Sequence, residues 1–161
     1  MRRLARPQDL SAVHAIFMDA RVNPHLGFEP MSVDAFQPIF ERFLAGGAFH
    51  MFEERGRIAS FYLVMRFSGR GAHVAELGAL AIDPALQGSG VAARMMEDAL
   101  ARLREEGVTR VELRTDAGNL RGLAFYRKMG FEVEGVLKKA FKRQDDPEPI
   151  DDVLLVRFLE R

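Results

Sequence analysis

Cysteine is absent from this chain of 161 residues. Its absence excludes disulfide bonds, thiolate zinc sites and cysteine nucleophiles, and it fits a reducing compartment, so we expect a cytoplasmic protein. Net charge is also absent, because Lys and Arg together number 23 and so do Asp and Glu. A chain balanced in this way has no general attraction for nucleic acid or for anionic membranes, and we expect neither as a partner.

Long apolar runs are missing too. No run approaches the roughly 20 residues that a membrane-spanning helix needs, and the basic start MRRLARPQDL has no apolar segment of the kind that a secretory signal carries. The four histidines lack the close spacing of metal ligands, so we expect no metal site. A hydrophobic share of 48% and the chain length instead predict a single globular domain over residues 1–161.

The hydrophobic periodicity changes several times along the chain. It predicts helices over residues 10–17, 33–45, 91–106 and 120–129, the second capped by Ser32 and weakened by Pro38. It predicts strands over residues 2–6, 48–53, 58–67, 73–83, 108–115, 131–136 and 153–159. Because most neighbouring strands are joined by short turns, this order predicts an α+β fold with a mixed, mostly antiparallel sheet, flanking helices and one central βαβ unit at 73–115.

The stretch DPALQGSGVAA, residues 83–93, connects the strand of that unit to its helix. One interpretation is a plain connector built from turn-forming residues. A second is a phosphate-binding loop, because a helix start presents unpaired N–H groups and glycines allow a phosphate to approach the backbone. A P-loop is excluded because no Lys follows the glycines. A dinucleotide loop fits only the formal spacing of Gly88, Gly90 and Ala93, without a tight turn before it.

A third pattern accounts for more of the chain. Gln87-x-x-Gly90-x-Ala92 resembles the pyrophosphate loop of the GNAT superfamily of acetyl-CoA-dependent N-acetyltransferases. The resemblance continues with Asn119, with Tyr126 and with Gly130-Phe131, which follow in the order and spacing common in that family. These motifs cover roughly residues 74–136, and the order of elements is similar over nearly the whole chain.

The resemblance implies acetyl-CoA as co-substrate and assigns residues to it. The amides of the loop would hold the CoA pyrophosphate, and the backbone of the preceding strand would pair with the pantetheine arm. Asn119 would bind the same arm, although an Asn before a helix is also a common N-cap. The cofactor-binding residues implied in this way are Leu80, Ala81, Ile82, Gln87, Gly88, Ser89, Gly90, Val91, Ala92, Asn119 and Tyr126.

The resemblance also implies two catalytic residues. Tyr126 matches the tyrosine that protonates the departing CoA thiolate, while its structural alternative is a half-buried core residue. Glu76 lies eleven residues before Gln87, where some members carry a general base that acts through water, and its alternative is a solvent-facing or ion-paired Glu. Basic helix residues that could hold the adenosine end, or could simply be solvated, are Arg94, Arg121, Arg127 and Lys128.

The acceptor is the least constrained part of the sequence. In the family, acceptor specificity depends on the segments that correspond to residues 21–31 and 140–151, and the acidic run 144–152 would attract a cationic amine. The C-terminal sequences EGVLKKAFKR and IDDVLLVRFL resemble those of bacterial members that acetylate amino acids or similar small primary amines, including phosphinothricin-type substrates. A protein acetyltransferase and a non-catalytic acyl-CoA-binding module stay open as alternatives, as does a homodimer.

Overall fold

A computed structural model describes residues 1–160. Seven strands and four α-helices form a mixed α+β fold, which confirms the predicted fold class. The chain divides into two compact units, Met1–Val64 with Ala79–Asp98, and Met65–Gly78 with Ala99–Arg161. The strands are β1 (Arg2–Leu4), β2 (Phe49–Glu54), β3 (Arg57–Arg66), β4 (Val74–Ile82), β5 (Arg110–Asp116), β6 (Glu132–Phe141) and β7 (Ile150–Phe158). The helices are α1 (Leu10–Phe17), α2 (Val33–Ala45), α3 (Val91–Glu105) and α4 (Leu120–Lys128).

The first unit packs α1 and α2 over an antiparallel ribbon of β1, β2 and β3. Its core is rich in phenylalanine, and the rings of Phe17 and Phe61 stack with their centroids 6.0 Å apart. Helix α2 has the predicted bounds, and the Ser32 hydroxyl accepts a hydrogen bond from the Ala35 N–H at 3.3 Å. The helix continues through Pro38, which has no backbone N–H and therefore leaves one helical hydrogen bond unmade.

The second unit has strands hydrogen-bonded in the order β4-β5-β7-β6. The first half of β4 is parallel to β5, and the other two pairs are antiparallel. The parallel pair, with the connection through α3, is the predicted βαβ unit. Side chains of β5 alternate, so Val111, Leu113 and Thr115 are buried on one face while the charged residues lie on the other.

The largest difference in extent from the prediction is in β6. The sequence predicts the last but one strand over 131–136, but β6 continues to Phe141. Its second half, Lys138–Phe141, is mostly exposed and carries two lysines, which hides the alternation that marks a strand in sequence. The ladder with β7 nevertheless reaches Phe141↔Ile150 through an irregular register after Leu137. The connection between β6 and β7 therefore begins later in the chain than the sequence predicts.

Candidate active site

The glycine loop lies in the first unit, between β4 and α3. Asp83 ends the strand by accepting the Ala85 N–H on its side chain at 2.9 Å and the Leu86 N–H on its carbonyl at 2.8 Å. Gly88 and Gly90 then adopt positive φ angles of 83° and 82°. Both conformations favour glycine, so the two glycines are required by the backbone path of the loop and are more than a flexible connector.

The start of α3 leaves several backbone amides without a helical partner. The first helical bond runs from the Arg94 N–H to the Gly90 carbonyl at 3.2 Å, so the amides of Val91, Ala92 and Ala93 precede it. The Ser89 hydroxyl does not point away from the chain, because it donates to the Leu86 carbonyl at 2.6 Å. Amides at a helix start carry partial positive charge, and with exposed glycines before them they fit a phosphate group.

Arg94 holds this loop from the first turn of α3. Its Nη1 donates to the Ser89 carbonyl at 3.2 Å, its Nε donates to Glu54 Oε1 at 3.0 Å, and its Nη2 also binds Glu54. A Cβ added to Gly90 would lie 3.0 Å from the Arg94 Nη1. The sequence allows Arg94 to be either a phosphate ligand or a solvated charge. In the structure it forms an ion pair with Glu54 and a hydrogen bond to the loop. Arg121, Arg127 and Lys128 are exposed on α4.

The second half of β4 contains the three residues expected to pair with the pantetheine arm. Ala81 is buried, and Leu80 and Ile82 are half-buried. The parallel register with β5 ends at Leu77↔Leu113, and Ala79 then takes a positive φ of 43°, which costs a non-glycine residue about 1–2 kcal/mol. Leu80, Ala81 and Ile82 therefore lie beyond the β5 ladder, after a local distortion of the strand.

Tyr126 lies in α4 of the second unit. It is only 8% exposed, and its ring packs against Phe131 with centroids 6.2 Å apart in an edge-on arrangement. Burial raises the pKa of the Tyr126 phenol from its usual 10 to about 12. The buried environment disfavours the phenolate, so the side chain keeps its proton throughout the neutral and moderately alkaline range.

Asn119 caps α4 with one end of its side chain and bonds to β5 with the other. Its Oδ1 accepts the Gly122 N–H at 2.9 Å, and its Nδ2 donates to Thr115 Oγ1 at 2.8 Å. A Cβ on Gly122 would come within 2.7 Å of the Asn119 Cγ, so glycine is needed there to make room for the cap. Of the two roles that the sequence offers, the N-cap is thus directly visible in the structure.

We expect Asn119→Ala to lower the free energy of unfolding by about 1 kcal/mol, because it removes the acceptor for an unpaired helix amide. Asn119→Asp keeps that acceptor and serves as the matched control, with a much smaller loss. Urea unfolding monitored by circular dichroism measures both. Equal stability of the alanine and wild-type proteins would show that the cap does not contribute.

Glu76 lies in the first half of β4 with its side chain 18% exposed. Its carboxylate is 3.7 Å from Arg114 Nε of β5, which is an ion pair but too long for a hydrogen bond. Its strand neighbours Ala75 and Leu77 point to the opposite, buried face. Glu76 therefore lies on the charged face of the β4–β5 pair with a carboxylate that the protein does not fully satisfy.

The acidic run at 144–152 is mostly neutralised by its own neighbours. Asp146 pairs with Arg143 at 3.1 Å, Asp151 pairs with Lys138 at 2.9 Å, and Glu148 lies 3.9 Å from the Lys139 ammonium group. The expectation that the whole run attracts a cationic amine is therefore too broad. Within residues 1–160, Asp145 and Asp152 form no ion pair; Asp145 is exposed, and Asp152 is half-buried.

Sequence reasoning misses Arg114 and predicts Asp152 only as one member of the acidic run 144–152. Both lie on the charged face of the second unit, where Asp152 stands opposite Asp116 across the β5–β7 ladder. The alternation in RVELRTD could have indicated that β5 has a charged face, but the partner strand and its register are not readable from that pattern. Within residues 1–160, no group of three or more metal-ligating side chains comes together, and none of the helices is long and apolar enough to cross a membrane.

Comparison with known proteins identifies the class of protein. A model of the acetyltransferase (GNAT) family matches residues 12–131, and the chain therefore belongs to that family. A mycothiol acetyltransferase of Brachybacterium faecium is 44% identical over 61 residues, which is 38% of this chain and 18% of that protein. This chain thus matches less than a fifth of that relative's length.

Solved structures extend the likeness to the whole fold. A crystal structure described as a putative phosphinothricin N-acetyltransferase has a TM-score of 0.80 and 24% identity, covering 100% of this chain and 99% of its own. A GNAT phosphinothricin acetyltransferase of Sinorhizobium meliloti, solved in complex with acetyl-CoA, has a TM-score of 0.76 and 20% identity, covering 99% and 88%. At these identities the likeness shows the fold, and it matches the resemblance read from the motifs.

Proposed function

We propose that residues 1–161 act as a single N-acetyltransferase domain that moves an acetyl group from acetyl-CoA to a primary amine, specifically a small molecule such as an amino acid. The observation that carries the proposal is the glycine loop at the start of α3, with its two positive φ angles and its unpaired amides. Family membership supplies the donor, because acetyl-CoA is the acetyl donor of GNAT acetyltransferases.

The residues of the first unit fit the donor's phosphates. The loop from Gln87 to Ala92 would hold the pyrophosphate with the amides that are not already bonded within it, since the Gln87 and Ser89 N–H groups donate to the Pro84 and Leu86 carbonyls. Arg94, paired with Glu54, holds the loop through the Ser89 carbonyl. The backbone of Leu80, Ala81 and Ile82 would pair with the pantetheine arm. Acetyl-CoA supplies an activated acetyl group as a thioester when it is bound.

Tyr126 is the proposed general acid. Its pKa of about 12 means that its phenol is protonated whenever a thiolate needs a hydrogen-bond donor. A thiol has an ordinary pKa of about 8.5, so the raised pKa of the phenol makes complete proton transfer to the thiolate unfavourable. Tyr126 therefore contributes most by donating a hydrogen bond to the developing negative charge.

Glu76 is the proposed general base. An alkyl ammonium must lose a proton before its nitrogen can attack, and its ordinary pKa lies well above neutrality. Glu76 carries a carboxylate whose one ion pair, with Arg114, is loose at 3.7 Å, so its oxygens can accept a proton from the amine through a water molecule. Asn119 keeps its capping role beside any contact with the donor.

A thiol-release assay tests the proposal. Purified protein is mixed with acetyl-CoA and, separately, with free amino acids, polyamines and peptides with free N-termini. We expect release of CoA thiol with a small primary amine. Release only with peptides would favour a protein acetyltransferase, and tight acetyl-CoA binding without release in any mixture would favour a non-catalytic binding module.

A further inference from the structure

The charged face of the second unit carries one cation and two carboxylates that the protein leaves without hydrogen bonds. Arg114 is 48% exposed, and its one ion pair is the loose contact with Glu76 at 3.7 Å. Among residues 1–160 its guanidinium has no hydrogen-bond acceptor. A guanidinium has five N–H donors arranged to hold a carboxylate with two parallel bonds, so Arg114 has unused capacity for an anion.

Asp152 is the second group of this kind. Its Oδ1 is buried and has no hydrogen-bond partner within the described part of the chain. Burial and the nearby charge of Asp116 raise the pKa of the Asp152 carboxyl, while Arg114 acts in the opposite direction. A carboxylate buried beside another carboxylate is stabilised by a cation, and the second unit does not place one in contact with it.

The other charges on this face are already satisfied. Asp116 is paired with Arg143 at 3.1 Å and accepts the Gly118 N–H at 3.1 Å. Glu112 is paired with Arg110 at 2.6 Å. Among the charged residues that β4, β5 and β7 place on this face within residues 1–160, the unsatisfied set is Glu76, Arg114 and Asp152.

The strand register makes Arg114 a diagonal neighbour of both Glu76 and Asp152, which lie on opposite sides of it. Glu76 stands opposite Glu112, Arg114 opposite Leu154, and Asp152 opposite Asp116, so Arg114 and Asp152 are diagonal neighbours across β5 and β7. Diagonal neighbours have Cβ atoms about 7–8 Å apart, within reach of an arginine side chain. Arg114 and Asp152 nevertheless form no ion pair with each other, which leaves the cation and the carboxylate each available to a ligand.

We propose that the acceptor is a free amino acid, with Arg114 binding its carboxylate and Asp152 facing its ammonium group. The inference rests on the proposed acetyl transfer and names its acceptor class. An α-amino acid carries an ammonium group and a carboxylate on the same carbon atom, which matches a site where a cation and a carboxylate are neighbours. A peptide N-terminus carries the ammonium group but has an amide where Arg114 would need a carboxylate.

The test compares free L-amino acids with their C-terminal amides, which keep the side chain and ammonium group and lose the carboxylate. For the wild-type protein we expect kcat/KM to be about 10- to 100-fold higher for a preferred amino acid than for its amide. Arg114→Gln should remove most of that preference by lowering kcat/KM for the acid alone, with the KM for acetyl-CoA unchanged. Arg114→Lys should restore part of it. Arg104→Gln, an exposed arginine of α3, is the control for loss of one charge.

Equal use of acid and amide by the wild-type protein would overturn the inference and leave the acetyl transfer standing, as would an equal loss for both substrates in Arg114→Gln. Calorimetric titration with the same amino acids, without acetyl-CoA, separates the two proposals. Carboxylate-dependent binding that Arg114→Gln weakens would support the inference even if no thiol were released. Absence of such binding would overturn it.

Discussion

We expect Gly90→Glu to weaken acetyl-CoA binding by at least about 100-fold, as measured by calorimetry. The substitution places a carboxylate where the loop would hold a pyrophosphate, and juxtaposed like charges cost several kcal/mol. It also forces a side chain onto a backbone with a φ of 82° and against the Arg94 guanidinium, which a new carboxylate would capture. Both effects prevent the backbone amides at the start of α3 from binding the pyrophosphate of acetyl-CoA.

Gly47→Glu is the matched control for strain and charge. Gly47 also has a positive φ, of 62°, and a Cβ added there would have no atom within 4 Å, but it lies between α2 and β2, outside the loop. Both variants should lose about 1–2 kcal/mol of unfolding free energy from the backbone conformation. Only the Gly90 variant should lose binding. A folded Gly90→Glu protein that binds acetyl-CoA as tightly as the wild type would refute the phosphate loop.

Tyr126→Phe should lower kcat by about 100-fold with little change in the KM for acetyl-CoA. The phenylalanine keeps the packing against Phe131 and removes only the hydroxyl that donates to the departing sulfur. The expected factor is at the lower end for a general acid because the pKa of about 12 is poorly matched to a thiolate. Steady-state kinetics with the preferred amine measure both constants.

Tyr62→Phe supplies the control, since the chain has two tyrosines and Tyr62 packs on His50 in the first unit, with ring centroids 5.1 Å apart. It should leave kcat nearly unchanged. The raised pKa of Tyr126 also predicts a pH dependence. Because Tyr126 keeps its proton as pH rises, deprotonation of this group should cause no decline in the wild-type kcat below about pH 11. An unchanged kcat in Tyr126→Phe would exclude the acid role.

Local features of the fold are predictable because they depend on neighbouring residues. Ser32 as cap and the glycines after residue 45 indicate the bounds of α2, and the Gln87–Ala92 pattern places a loop before α3. The extent of β6 is not predictable, because Lys138 and Lys139 lie on an exposed strand whose pairing with β7 is irregular. Such a strand is held by its partner's hydrogen bonds, which leave no periodicity in its own sequence.

The candidate site divides in the same way. Tyr126, Asn119 and the loop lie in motifs that can be recognised along the chain, although their roles stay predictions. Arg114 and Asp152 become neighbours only through the antiparallel register of β5 and β7, since they lie far apart in the sequence. Which acidic residues of 144–152 are neutralised also depends on contacts across the β6–β7 hairpin, as Lys138 and Asp151 illustrate.

The cap of α4 has an evolutionary consequence. Because the Asn119 side chain occupies the space that a Cβ at position 122 would need, the two positions cannot vary independently. An alanine at 122 leaves room for a smaller residue at 119, whereas an asparagine there must move its side chain and give up the cap. Single-site mutational scans would therefore report a cost for Gly122→Ala close to that of losing the cap, about 1 kcal/mol, whereas a paired library would reveal the coupling between the two positions.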